Sequence, residues 1–206
     1  MPNAVERAKV QYFYSLASPW AYLGAQRLID LCADKGVVIE AFPIATFKDN
    51  GWIPLMEKPA NRQAYVALDL KRWVSRLGLP MVTQDRPAGM AGLGDALPMI
   101  YAAQLAGVDA LALAVALQKA YREECIDVGL PAPRAAVATA AGFDGAALSA
   151  METTPEVAAQ REAMFDAARA AGVFGSPTYV FNGELFWGQD RLDFLAEAIS
   201  AEGGAA

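Results

Sequence analysis

The stretch from Gly172 to Arg191 constrains the fold more than any other part of the chain. Gly172 follows an alanine-rich helical pattern and suits the left-handed position past a helix C-terminus. Ser176-Pro177 enters a β-rich run, Thr178-Tyr179-Val180-Phe181. Asn182-Gly183 is a strong hairpin signal, because both residues tolerate positive φ. Glu184-Leu185-Phe186-Trp187 then returns as the partner strand. Gly188-Gln189-Asp190 leads into a last helix, with Asp190 placed to cap it and Asp193 one turn on. The order is helix, Pro-led strand, hairpin, strand, helix.

The N-terminal part supplies the strands this hairpin needs as neighbours. Val10 to Tyr14 has strand composition. Ala21 to Lys35 predicts a helix with apolar positions at Tyr22, Leu23, Leu28 and Leu31, closed by Gly36. Val37 to Phe42 is a second strand, stopped by Pro43. A β-α-β opening favours a right-handed crossover and a parallel strand pair.

Between Thr46 and Ala171 no strong strand pattern occurs. Lys48 to Asn61, with Gly51, Pro54 and Pro59, predicts a loop. Arg62 to Leu77 predicts a helix with Tyr65, Leu68 and Trp73 sharing a face. Met81 to Gly94 is an irregular connector. Asp95 to Ala106 and Asp109 to Glu124 predict helices opened by capping Asp, with Pro98 tolerable only in a first turn. Pro133–Ala141 and Asp144–Ala150 are short helices, and Thr154-Pro155 caps and opens a helix to Ala171. The plan is α/β: a thioredoxin-like domain from 1–45 and 172–206, with an all-helical domain, 46–171, inserted after its second strand.

Composition excludes several functions. The chain carries a net charge of −6 with no basic stripe, which argues against nucleic acid. It has no apolar run of membrane-spanning length, and Met1 to Arg7 lacks a signal peptide's apolar core, so the cytoplasm is the expected location. With no His, Ser-His and Cys-His nucleophile pairs and His metal sites are ruled out. Its 2 cysteines, Cys32 and Cys125, form no Cys-x-x-Cys, so dithiol redox chemistry and a structural zinc site are disfavoured. Cys32 lies in the helical run Leu28 to Cys32 and reads as a small buried apolar residue.

Ser18-Pro19-Trp20-Ala21 stands between the first strand and first helix. Ser18 fits a helix cap with Pro19 in the first turn. The same geometry offers free N–H groups and a positive dipole end to an anion such as a thiolate. Both roles stay open on spacing alone. By position alone, too, Pro177 simply starts a strand with a trans bond.

Three motifs add to this reading. Gly-Val-Phe-Gly-Ser-Pro-Thr, 172–178, resembles the cis-proline loop of the thioredoxin superfamily. Phe-Trp-Gly-Gln-Asp-Arg-Leu, 186–192, and Phe13-Tyr14-Ser15-Leu16-Ala17-Ser18-Pro19 resemble the 2-hydroxychromene-2-carboxylate isomerases and the kappa-class glutathione transferases, a DsbA-like branch of that superfamily. The resemblance implies a cis Ser176-Pro177 bond facing Ser18. It implies glutathione as the thiol carrier, with Ser18 and Ala21 standing where dithiol members carry two Cys. A hydroxyl at Ser18 cannot form a disulfide but can donate a hydrogen bond to a thiolate. The resemblance further implies that the Ser176 backbone pairs with the cysteinyl unit, that Gln189 and Asp190 receive the γ-glutamyl end, and that Arg62 meets the glycine carboxylate. Asp190 as a cap and Arg62 as a solvated helix-end charge are the alternatives. Lys48 and Asn50 match a loop that touches ligand or substrate. Thr83 to Pro87 does not reproduce the Asn-rich stretch of the isomerases, which leaves the substrate open. Trp20, Trp52 and Trp187 are candidates for an aromatic wall or for packing.

The expected activity is glutathione-dependent isomerisation of a conjugated aromatic oxo-acid, by thiolate addition, bond rotation and elimination. A kappa-like transferase and a non-catalytic glutathione- or peptide-binding module are the alternatives. No nucleic acid or membrane partner is expected, and a homodimer is left open.

Overall fold

A computed structural model describes residues 7–45, 51, 53–82 and 87–203. Four strands form one sheet in the order β2-β1-β3-β4. β1 (Lys9–Tyr14) pairs in parallel with β2 (Val38–Pro43), with Tyr12 beside Ala41. The two are joined through α1 (Pro19–Lys35), as the β-α-β opening requires. β1 also pairs antiparallel with β3 (Thr178–Phe181), Tyr12 beside Tyr179, and β3 with β4 (Glu184–Trp187). Asn182 (φ 50°) and Gly183 (φ 81°) form the hairpin turn between β3 and β4.

Alternation along the strands sorts side chains onto two faces. Val10, Tyr12, Tyr14, Tyr179, Phe181 and Phe186 enter the main core, while Phe13, Val180 and Leu185 enter a smaller one. The Tyr12 ring stacks between those of Tyr14 and Tyr179, with centroids at 4.8 and 5.4 Å. The main core takes Leu28 from α1, and Leu195 and Ile199 from α8 (Leu192–Gly203). It continues without a break into α3 (Leu97–Leu105) and α4 (Ala110–Arg122) through Met99, Ile100, Leu113 and Leu117. The smaller core is covered by Ala168 of α7 (Pro155–Ala170), together with Val173.

The described part of the segment between β2 and β3 consists of helices and the turns that join them, with no strand. It holds α2 (Ala60–Leu77), α3, α4, α5 (Pro131–Ala140), α6 (Gly145–Met151) and α7. It also makes hydrogen bonds to the β2 edge of the sheet. The Gln104 amide donates to the Ala41 carbonyl at 3.0 Å and the Tyr101 hydroxyl to that of Pro43 at 3.1 Å. Inside it, Arg134 forms a buried ion pair with Glu152 and also donates to the Gly129 carbonyl at 2.7 Å.

Local sequence chemistry sets most element ends. Gly36 and Gly78 close α1 and α2 in the left-handed region, and Gly172 follows α7 with φ 69°. Asp109, Asp144 and Thr154 cap α4, α6 and α7 through their side chains. Three expectations are corrected. Asp95 caps nothing: it lies in a 3₁₀ turn, Leu93–Ala96, and α3 starts at Leu97 so that Pro98 falls in its first turn. Asp190 lies within another 3₁₀ turn, Gln189–Arg191, rather than at the cap before the last helix. On α2, Tyr65 and Leu68 are exposed; the packed face is Leu70, Trp73, Val74 and Leu77, which dock on Trp20, Tyr22 and Leu23. That spacing of i, i+3, i+4 and i+7 defines the better stripe.

Candidate active site

The cleft is built where the turn after β1 meets the loop before β3. The Ser176-Pro177 bond is cis. Two hydrogen bonds stitch the segments together: Ser15 N–H donates to Ser176 Oγ at 2.7 Å, and Ser18 Oγ donates to the Ser176 carbonyl at 3.1 Å. Ser18 Oγ also accepts from the Ala21 N–H at 3.2 Å, so it caps α1 while facing the proline loop. Capping thus leaves the Ser18 hydroxyl free to donate toward the proline loop. The loop is pinned from behind by Thr178 Oγ1 donating to the Gly175 carbonyl at 2.9 Å and by Gly188 N–H donating to that of Pro177 at 2.9 Å.

Two cavities meet at this point and share Trp20, Ser176 and Trp187 as walls. The larger, about 560 Å³, is lined by Ser18, Lys58, Arg62 and Val66 among others. It therefore receives the N-terminal ends of both α1 and α2. Arg62 lies in the first turn of α2, where a cation opposes the helix dipole. Among the described residues neither Lys58 nor Arg62 forms an ion pair with a carboxylate. Two cations and two helix N-termini make this cavity a place for anionic groups. The smaller, about 310 Å³, is lined by Asp69, Trp73, Pro177, Gln189, Asp190 and Arg191. Its carboxylates suit a cation, and Arg191, 3.4 Å from Asp190, suits a neighbouring anion.

The aromatic walls are held by close packing. Gly175 has no room for a Cβ, because the Trp187 indole lies against it. Phe174 meets Trp187 edge-on at 5.0 Å. Gln189 is buried, and its side-chain oxygen accepts from Arg27 at 2.7 Å. That leaves its amide NH₂ as the group it can offer to a ligand.

The structure thus brings Ser18, Arg62 and Ser176 to one cavity, and Ser176, Pro177, Gln189 and Asp190 to the other. Lys48, Asn50 and Trp52 lie outside the described residues. Lys58, Asp69, Trp73, Phe174 and Arg191 line the cavities without being site candidates in the sequence. Asp69 and Trp73 are spaced i, i+4 and share one face of α2, a signal available in the sequence but hidden by the competing stripe through Tyr65 and Leu68. Neither cysteine supplies a thiol to these cavities. Cys32 is buried about 14 residues along α1 from Ser18, roughly 21 Å at helical rise. Burial pushes its thiol up to about 11, so it stays protonated at neutral pH.

A thioredoxin-type sheet, a cis-proline loop and a helix N-terminus facing it define a thioredoxin-fold protein. The model of the DSBA-like thioredoxin domain matches residues 9–200, and the chain belongs to that family. Within it, the chain is 29% identical over 198 residues to a 2-hydroxychromene-2-carboxylate isomerase of Pseudomonas putida, covering 92% of this chain and 93% of the relative. A 2-hydroxychromene-2-carboxylate isomerase of Sphingobium xenophagum is 28% identical over 195 residues, covering 90% and 95%. A solved structure of a 2-hydroxychromene-2-carboxylate isomerase superposes with a TM-score of 0.79 at 26% identity, covering 94% of this chain and 95% of the other. No helix among the described residues is long and apolar enough to cross a membrane.

Proposed function

We propose that this protein is a glutathione-dependent isomerase of a conjugated aromatic oxo-acid, similar to the 2-hydroxychromene-2-carboxylate isomerases. The carrying observation is the charge order of the cleft about Ser18. Cations and helix N-termini lie on one side, and Asp69, Asp190 and Arg191 on the other. Glutathione has a matching order: a carboxylate, a central thiol, then an ammonium beside a second carboxylate. Lys58 and Arg62 would hold the glycine carboxylate, and Asp190 and Asp69 the ammonium. The similarity of the chain to the isomerases over about nine-tenths of its length supports the reaction type.

Bound glutathione supplies a thiolate able to add to a conjugated carbon and to leave again. The protein's part is to favour that anion and to orient the reactants. Ser18 donates one hydrogen bond, and the first N–H groups of α1 add the positive end of a dipole. Depressing a thiol by two pKa units requires about 2.7 kcal/mol. A hydrogen bond to a charged group contributes about 1.5–3 kcal/mol and a helix end about 0.3–1 kcal/mol, so the two suffice. In the free protein the Ser18 proton points at the Ser176 carbonyl, a neutral acceptor that an anion outcompetes. Trp20, Trp187 and Phe174 give an apolar, aromatic wall for an aromatic substrate.

Turnover of a 2-hydroxychromene-2-carboxylate with and without glutathione tests this reading. Isomerisation that needs glutathione and leaves its amount unchanged is expected. Consumption of the thiol would make the protein a transferase, and binding without turnover a binding module. Undiminished isomerisation without glutathione would contradict the proposal.

A further inference from the structure

The turn that carries Ser18 is gripped from the helical segment. Arg122 and Gln118 stand one turn apart on α4 and are both buried, at 5% and 1% exposure. Arg122 donates to the Ala17 carbonyl at 2.8 Å and, more weakly, to that of Leu16 at 3.4 Å. The Gln118 amide donates to the same Leu16 carbonyl at 3.1 Å. The remaining carbonyl of the turn, Ser15, accepts from the Ser18 N–H at 3.0 Å. All three carbonyls preceding Ser18 are therefore engaged, two of them by side chains more than 100 positions away in sequence.

We propose that Arg122, assisted by Gln118, is a positioning residue of the thiol site: it ties the Leu16 and Ala17 carbonyls to α4, so that the turn presents the Ser18 hydroxyl and the α1 N–H groups to the cleft. The proposal rests on the glutathione reading for its chemical consequence, but not for its mechanical one. A carbonyl oxygen carries partial negative charge, and one freed to rotate into the cleft would repel a thiolate. A buried guanidinium suits the task because it is always charged and one of its amino groups, Nη2, reaches both carbonyls from a planar, pre-organised head. It also leaves a fixed positive charge behind the turn. Packing alone does not require a cation here, since a Met of similar length would fill the space. Arg122 touches no reacting atom, so its role is to place Ser18.

The test uses the full chain with Arg122→Met, Arg122→Lys and Gln118→Leu. The first readout is backbone amide hydrogen exchange over residues 15–21 in the free protein. In Arg122→Met that segment should exchange at least tenfold faster, with α5 and α6 unchanged. Arg122→Lys, a point donor, should be intermediate. The second readout is the ultraviolet thiolate absorbance of bound glutathione against pH. Loss of the clamp should raise the bound thiol by about one pKa unit, tenfold less thiolate at a pH below it. If Arg122→Met does not fold, the Lys and Leu variants carry the same comparison, with smaller shifts of the same sign. Unchanged exchange over 15–21 would overturn the proposal, as would faster exchange with an unaltered thiol titration. If glutathione titrates in the wild type as it does free, the proposed function fails. Exchange alone then decides the clamp, with faster exchange in Arg122→Met supporting it and unchanged exchange overturning it.

Discussion

At the scale of single residues, Ser18 has two roles that substitutions separate. Removing the hydroxyl with Ser18→Ala should cost about 1 kcal/mol of stability through the lost cap, whereas Ser18→Gly should cost only a few tenths. Both should raise the pKa of bound glutathione and slow turnover alike, because neither can donate to a thiolate. Thermal unfolding and the thiol titration, measured on the same pair, check this; activity that follows stability rather than the hydroxyl would leave Ser18 a cap. Cys32 gives a second test. Its folded-state thiol is raised by burial to about 11 from 9.0. The folded protein then holds the proton more tightly than the unfolded chain, so this contribution is full below pH 9 and lost as pH rises toward 11. Cys32→Ala should show a shallower fall in stability across that window, measured by denaturant unfolding; an unchanged slope would contradict the burial argument. Ser18 and Ser176 could be read from the sequence because each sits in a contiguous motif. Lys58, Asp69 and Arg122 could not, because only the folding of distant helices brings them to the cleft.

At the scale of elements, the caps provide a matched comparison. Asp109 accepts from the Ala112 N–H at 2.9 Å, while Asp95 lies in a 3₁₀ turn without a capping bond. Asp109→Ala should therefore lower stability by about 1 kcal/mol. Asp95→Ala should stay within about 0.5 kcal/mol. Equal losses on thermal unfolding would contradict the placement of α3. A different constraint acts where α1 crosses the sheet. A Cβ on Gly24 would stand 2.7 Å from Tyr179 Oη and 2.9 Å from Gln189 Cβ. Gly24→Ala should thus destabilise by about 1–3 kcal/mol through overpacking, more than the helix-propensity gain of about 1 kcal/mol. The strands, the Asn182-Gly183 turn and most helix boundaries were legible because local propensity and tertiary packing agree there. The face of α2 was misread because Tyr65 and Leu68 form an apolar pair at helical spacing that packing leaves exposed. The start of α3 was misread because Pro98 and an Asp two residues from the helix allow more than one opening.

At the scale of the whole molecule, the thioredoxin-type sheet and the helical segment share one continuous core, and the cleft lies on their seam. β1, α1 and the proline loop bring the hydroxyl, the helix end and the strand-like Ser176 backbone. α2 brings the charges at either end, Arg62 toward one cavity and Asp69 toward the other. The α/β plan with a helical insertion was readable from the order of strand and helix patterns alone. The polarity of the cleft was not, since it depends on how α2 lies across α1. The proposed function requires that this cleft take up glutathione as its thiolate. The most direct measurement is the ultraviolet thiolate absorbance of glutathione bound to the wild-type protein, followed against pH. Saturable binding is expected, with ionisation about two pH units below that of the free thiol. No binding, or a bound thiol that ionises where the free one does, would contradict it.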